Sequence, residues 1–281
     1  MFYVPDSLLD GLIEEDLHMQ DLTTAALGIG DRPGRVECAP KSGCVLAGVE
    51  EAARMFERLG ARAEVLLDSG SEVEAGACCL RAYGGAARLH AVYKAAQNVM
   101  EYASGIATRS AEMVRNARSA SPRVAVCVTR KHFPGTKRIS VKAALAGGAS
   151  VHRFGLSDSI LIFDQHRVFL DEEAFAARLA EVAAANPERR IMVEAGTPEE
   201  ALRFARAGVG VVQCERFPPQ ELAACVVSLR ALDPGIRVSA AGGVNAENAA
   251  AYAATGVDAL VTSWVYFGRP VDIKMRFFAD A

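Results

Sequence analysis

From about residue 122 onward the chain repeats one device: a short β-branched or aliphatic run, a turn, then an amphipathic helix. The spacing predicts strands at 124–128, 149–151, 160–162, 191–193, 209–213, 238–240 and 259–262, each apolar and too short for a helix. Helices are predicted between them over 171–185, 197–207, 219–231 and 245–255. Strand, helix, strand at this spacing implies right-handed crossovers and a parallel sheet, most economically closed as a barrel. No other feature of the chain narrows its fold so far.

The first part of the chain has a different rhythm. Residues 5–26 read as a helix beginning at Pro5 and Asp6, with Asp21 placed to cap the segment after it. Short apolar runs at 36–38, 44–47, 63–67 and 78–82, a helix at 49–59 and frequent glycines describe a small α/β sandwich. A long helix follows over about 86–118, its apolar residues recurring at three- and four-residue steps. The expected architecture is α/β: an N-terminal α/β sandwich with a bridging helix (1–118) and a parallel, open TIM-like α/β barrel (119–268). A C-terminal tail (269–281) is expected to return to the N-terminal domain.

In such a barrel, chemistry collects at the carboxyl ends of the strands. The residues there are Arg130 and Lys131, His152 and Arg153, Phe163 and Asp164, Glu194, Glu215, Ala241 with Gly242 and Gly243, and Ser263. The stretch 129–166 adds Lys137, Arg138 and Lys142, which outlines an anion site; a basic, solvated face is the plainer account. Glu194 and Glu215 lie 21 residues apart, one strand–helix unit, so their carboxylates are expected on neighbouring strands. Two hard oxygen ligands beside a diphosphate suit Mg²⁺. The simpler alternative pairs each glutamate with an arginine such as Arg190 or Arg216. Gly242 and Gly243 precede a predicted helix starting at Asn245, where backbone N–H groups form a phosphate cradle, although turns also need glycine.

The ordered set Thr129-Arg130-Lys131, Pro134-Gly135, Gly147-Gly148 and His152-Arg153-x-Gly155-Leu156 resembles the signature of the quinolinate phosphoribosyltransferase family. The similarity spans nearly the whole chain and is greatest to the ModD branch, pyrophosphorylase-like proteins associated with molybdenum-transport operons. Where that family reads Lys-Asp-Asn-His, this chain has Phe163-Asp164-Gln165-His166. Counting back from Ser104-Gly105-Ile106-Ala107-Thr108 puts Lys94 where the family carries an arginine donated to the neighbouring subunit. From spacing alone Lys94 is a surface lysine.

The resemblance implies phosphoribosyl transfer from phosphoribosyl pyrophosphate to a heteroaromatic acid, with Mg²⁺ and a homodimer or dimer-based oligomer. Glu194 and Glu215 would hold the ribose hydroxyls and the metal, and with Lys131 form the catalytic set. Gly242 and Gly243 would hold the 5-phosphate, with Ser263 also lining the substrate site. Arg130, Lys131, His152, Arg153 and Lys94 would bind the pyridine dicarboxylate and pyrophosphate. Quinolinate is the default acceptor, giving nicotinate mononucleotide and CO2; Phe163 removes one cation and leaves room for a less charged ring.

Composition limits the alternatives. A net charge of −3 gives no global attraction to nucleic acid or anionic membranes, and no uncharged run is long enough to span a bilayer. Seven cysteines without a C-x-x-C motif are expected as reduced core thiols in a cytoplasmic protein. Two other classes stay open: a binding protein of molybdenum metabolism that keeps the fold without turnover, and an aldolase-like enzyme with a Schiff base at Lys131 or Lys142.

Overall fold

The computed structural model describes residues 2–280, which form two compact units. One comprises the chain up to Ala111, His132–Gly148 and the chain from Val265 on; the other comprises Glu112–Lys131 and Ala149–Trp264. The segment His132–Gly148, with its helix Lys137–Ala146, thus groups with the first unit although its position in sequence lies among the barrel strands.

The first unit is built on a four-stranded antiparallel sheet in the order Ile273–Ala279, Pro33–Pro40, Leu80–Gly85, Arg62–Val65. Pro33–Pro40 alternates buried and less buried residues, as a strand with one face on a core must. The helix Val49–Arg58 turns Val49, Ala52, Met55 and Phe56 into that core. Residues 5–26 divide as the expected Asp21 cap implies. Asp6–Leu17 ends at His18, and Leu22–Leu27 starts anew because the Asp21 carboxylate accepts the N–H groups of Thr23 (3.0 Å) and Thr24 (3.2 Å).

The long helix Ala86–Ala120 has 35 residues. Its Ser104 and Thr108 hydroxyls accept the backbone N–H groups of Ala47 and Val45, both at 3.0 Å, so these two motif residues tie a neighbouring strand to the helix. A Cβ on Gly147 would sit 2.2 Å from the Ala107 carbonyl oxygen, which accounts for glycine at that crossing.

The second unit is a seven-stranded parallel sheet curled into an open half-barrel. Its order is Ser150–Val151, Ala125–Val128, Ala259–Thr262, Arg237–Ala241, Val211–Glu215, Ile191–Ala195, Ile160–Ile162. The α/β barrel architecture expected from the strand–helix repeat is therefore present, open between its first and last strands. Connecting helices include Glu172–Ala185, Pro198–Arg206 and Pro219–Leu232. The Thr197 hydroxyl accepts the Glu200 N–H at 3.2 Å, and Pro198 occupies the first helical position, where no N–H is needed. All seven cysteines are free thiols. Among the described residues no helix is long and apolar enough to cross a membrane.

Candidate active site

Two strands run further than expected, and this sets the geometry of the acids. Ile191–Ala195 and Val211–Glu215 each contain their glutamate, so strand alternation fixes its direction. Ile191, Val193 and Ala195 are buried, whereas Met192 and Glu194 on the opposite face are half-buried. Glu194 is half-desolvated and accepts a hydrogen bond from Gln213 Nε2 at 2.8 Å. Burial raises its pKa, and the negative charges of Glu215 and Asp164 add to the rise; Gln213 and Lys131 oppose it. Among the described residues no arginine pairs with Glu194. Glu215 does meet Arg216 (3.5 Å), but that guanidinium is 83% exposed and holds it weakly.

The cationic side is formed at the ends of Ala125–Val128 and Ser150–Val151, separated from the acid-bearing strands by two others. Arg130 and Lys131 are exposed just after Ala125–Val128, and the Lys131 N–H donates to Thr129 Oγ1 at 3.2 Å. Arg153 is 8% exposed, and burial together with the charge of Arg130 lowers its pKa, with Asp158 opposing. His152 is half-buried, and burial followed by the Arg153 charge lowers its pKa, which favours the neutral imidazole. The cationic charge here belongs to the arginines and Lys131.

Phe163 is half-buried, not core. It lies two residues beyond Leu161, which is in register with Met192, so it shares the face that carries Met192 and Glu194. Its ring stacks on His166 at 5.8 Å, and its N–H donates to His166 Nδ1 at 3.0 Å.

Gly242 and Gly243 both have left-handed backbones, φ 84° and 78°. A Cβ on Gly242 would lie 2.5 Å from Arg216 Cγ and 2.6 Å from Glu215 Oε1, so glycine there keeps the Glu215 carboxylate in place; a Cβ on Gly243 would meet nothing within 4 Å. The helix expected at Asn245 begins only at Ala249. Asn245 Oδ1 instead accepts the N–H groups of Glu247 (2.9 Å) and Asn248 (3.2 Å), and Asn248 Oδ1 accepts the Asn245 N–H (2.8 Å). These N–H groups are consumed by an asparagine turn, so the cradle reduces to the glycine pair itself. Ser263 is half-buried between Thr262, whose hydroxyl donates to the Val244 carbonyl (2.7 Å), and Trp264.

Three other expected participants lie in the first unit. Lys94 donates to Gln97 Oε1 at 2.7 Å and shares a concavity with Asp21, Thr24, His90 and Tyr93. Arg138 donates to the Tyr3 carbonyl at 3.0 Å. Lys142 donates to Glu50 (2.9 Å) and to both oxygens of Glu51 (2.8 Å), which raises its pKa despite burial. Arg138 and Lys142 are thus held by protein groups, and the Lys142 amine is unsuited to Schiff-base formation.

Gln213 and Ser239 were not among the expected residues. Counting inward by two from Glu215 and from Ala241 reaches both, a signal present in strand periodicity.

Comparison with known proteins identifies the family and the fold. The family model described as quinolinate phosphoribosyl transferase, C-terminal domain, matches residues 106–276, and its N-terminal counterpart matches residues 21–104. A Rhodobacter capsulatus protein named 'Putative pyrophosphorylase ModD' is 44% identical over 252 residues, covering 89% of this chain and 96% of its own. The nicotinate-nucleotide pyrophosphorylase (carboxylating) of Rattus norvegicus is 30% identical over 275 residues, covering 98% of this chain and 91% of its own. The crystal structure of NadC from Streptococcus pyogenes superposes with a TM-score of 0.89 at 22% identity, covering 98% of this chain and 97% of that one, a likeness of fold. The chain belongs to the quinolinate phosphoribosyl transferase family.

Proposed function

We propose that this protein transfers a phosphoribosyl group from phosphoribosyl pyrophosphate to a heteroaromatic acid, releasing pyrophosphate, with quinolinate as the default acceptor. The observation that carries this is the placement of opposites on one half-barrel: Glu194 and Glu215 within reach of each other's charge and of Lys131, with Arg130, Lys131 and Arg153 following Ala125–Val128 and Ser150–Val151, beyond two intervening strands. A sugar flanked by two anionic groups needs that division. Family membership supports the reaction class, and quinolinate as acceptor is taken from the name of the family model.

The residues fit a divalent cation shared with substrate. Glu194 and Glu215 repel one another, which a cation between them would relieve. Among the described residues no group of three or more His, Cys, Asp or Glu is arranged to hold a metal, so substrate oxygens and water would complete the shell, as suits Mg²⁺. When bound, Mg²⁺ supplies charge neutralisation of the departing pyrophosphate. The arginines grip the acceptor carboxylates and orient its ring nitrogen towards the anomeric carbon. As that nitrogen's lone pair forms the new C–N bond, the C–O bond to pyrophosphate breaks with its electron pair on oxygen. Lys131 and the arginines stabilise the leaving charge more as it grows. With quinolinate, the C–C bond to the carboxylate beside the nitrogen then breaks, CO2 leaves, and the electron pair left on the ring carbon takes up a proton from water.

A second reading rests on Phe163: an aromatic ring stacked on His166 fits an acceptor of lower charge, or an anion-binding protein of molybdenum metabolism without turnover. A cytoplasmic homodimer in which Lys94 serves the partner's site belongs to the same proposal. Light scattering that finds only monomer at working concentration would rule out the dimer. The function itself is tested by screening aromatic acids with phosphoribosyl pyrophosphate and Mg²⁺ for pyrophosphate release. Release with quinolinate or a related acid is expected; no release with any acid would favour the binding protein.

A further inference from the structure

Glu194, Gln213 and Ser239 are register partners on three neighbouring parallel strands, so their side chains project from one face of the half-barrel. Gln213 is engaged at one end only. Its Nε2 donates to Glu194 Oε2 at 2.8 Å, which fixes the amide, while its Oε1 is buried without a donor. The next residue in the row, Ser239, has a buried hydroxyl that also has no partner. Gln213 and Ser239 are 4% and 5% exposed, so bulk water does not satisfy them. Beyond Ser239 the row continues through Ala259 and Ala125, two methyl groups at positions where closed barrels carry bulky branched side chains.

Buried polar atoms in folded proteins are almost always paired, so two adjacent orphans beside a functional carboxylate require an account. Their chemistry selects the partner. Gln213 Oε1 only accepts, whereas the Ser239 hydroxyl both donates and accepts. One ligand hydroxyl meets both needs, donating to Oε1 and accepting from Ser239. A carboxylate or phosphate oxygen would face the lone pairs of Oε1 and is rejected, in contrast to the cationic strand ends. We infer that Gln213 and Ser239 form an uncharged subsite that seats a ligand hydroxyl beside Glu194. Resting on the phosphoribosyl-transfer reading, that group is a ring hydroxyl of the sugar. Gln213 is then also a positioning residue, since the amide that receives the hydroxyl holds the Glu194 carboxylate.

Calorimetry on the full-length protein tests this with ribose 5-phosphate, 2-deoxyribose 5-phosphate and 3-deoxyribose 5-phosphate. Wild type is expected to bind ribose 5-phosphate at least about tenfold more tightly than one of the deoxy sugars, because a site built to bond a hydroxyl rejects the analogue lacking it. In Ser239→Ala and Gln213→Met that preference should shrink to roughly threefold or less, and in Ser239→Ala, which leaves the Gln213–Glu194 bond in place, affinity for the deoxy sugar should stay unchanged. Ser239→Ala removes a single oxygen and keeps the test valid if Gln213→Met fails to fold. Equal affinity for all three sugars in wild type would mean that the pair holds only an internal water, which overturns the subsite and leaves phosphoribosyl transfer standing. A preference undiminished in Ser239→Ala would assign it to Glu194 and Glu215 alone and also overturn the subsite. If neither these sugars nor phosphoribosyl pyrophosphate binds, both readings fall.

Discussion

The guanidinium of Arg153 stands 5.7 Å from the centroid of the Phe163 ring, a cation held against an aromatic face at the end of the half-barrel strands. Arg153 is buried and its pKa is lowered, so the ring compensates for part of the solvation the arginine has lost. Phe163→Lys exchanges that face for a fourth cation beside Arg130, Lys131 and Arg153. A charge-assisted contact to a dicarboxylate contributes about 1.5–3 kcal/mol, so kcat/KM for quinolinate should rise roughly ten- to hundredfold. Steady-state kinetics showing no gain in a folded variant would rule out charge loss as the basis of acceptor choice.

Glu194 makes stability depend on pH. Its pKa is raised in the folded state, chiefly by burial, so the native protein binds more protons than the unfolded chain over that interval. Stability therefore falls as pH rises from the ordinary carboxylate value of 4.5 through the raised one. Glu194→Gln should raise Tm above this window and leave it unchanged below, while weakening Mg²⁺-dependent binding of phosphoribosyl pyrophosphate. Glu215→Gln removes a repelling charge and should move the window to lower pH. Melting curves across pH, paired with calorimetry, check both; a Tm lowered by Glu194→Gln at neutral pH would contradict the burial penalty.

The two glycines should respond differently to alanine. Gly243→Ala meets no neighbour and incurs only the left-handed backbone penalty, about 1–2 kcal/mol. Gly242→Ala adds a collision with Arg216 Cγ and Glu215 Oε1 and must displace that carboxylate. Mg²⁺-dependent binding should therefore suffer more in Gly242→Ala than their melting temperatures alone would suggest. Equal losses of binding in the two variants would separate Gly242 from the positioning of Glu215.

Lys142 anchors two acids. Glu50 is held down to about 2, with burial opposed by bonds from Ser69 and Lys142, so its stabilising effect is present above the ordinary carboxylate pKa and is lost as pH falls towards 2. Lys142→Met strands Glu51, whose side chain is 4% exposed, and should destabilise the fold by about 3–5 kcal/mol. Chemical denaturation would measure this. A loss below about 1 kcal/mol would show that the triad behaves as an exposed pair.

The sequence by itself determined the parallel strands of the second half and the helices Glu172–Ala185, Pro198–Arg206 and Pro219–Leu232, because apolar periodicity is a local property and buried parallel strands need it everywhere. Ile160–Ile162 and Ala259–Thr262 were legible to the residue. The family motif likewise marked Arg130, Lys131, His152 and Arg153, and strand spacing marked Glu194 and Glu215. Tertiary structure decided what these groups meet. Lys142 and Arg138 read as part of a cationic run, yet Glu50, Glu51 and the Tyr3 carbonyl hold them. Asn245 carries the pattern of a helix start, but its side chain spends the nearby N–H groups on a turn. Gln213 and Ser239 looked like ordinary strand residues, and only the register of three strands put two unpaired polar atoms beside Glu194. Periodicity tells which way a side chain points; whether its hydrogen bonds are met depends on residues distant in sequence, and only the folded sheet brings those into reach.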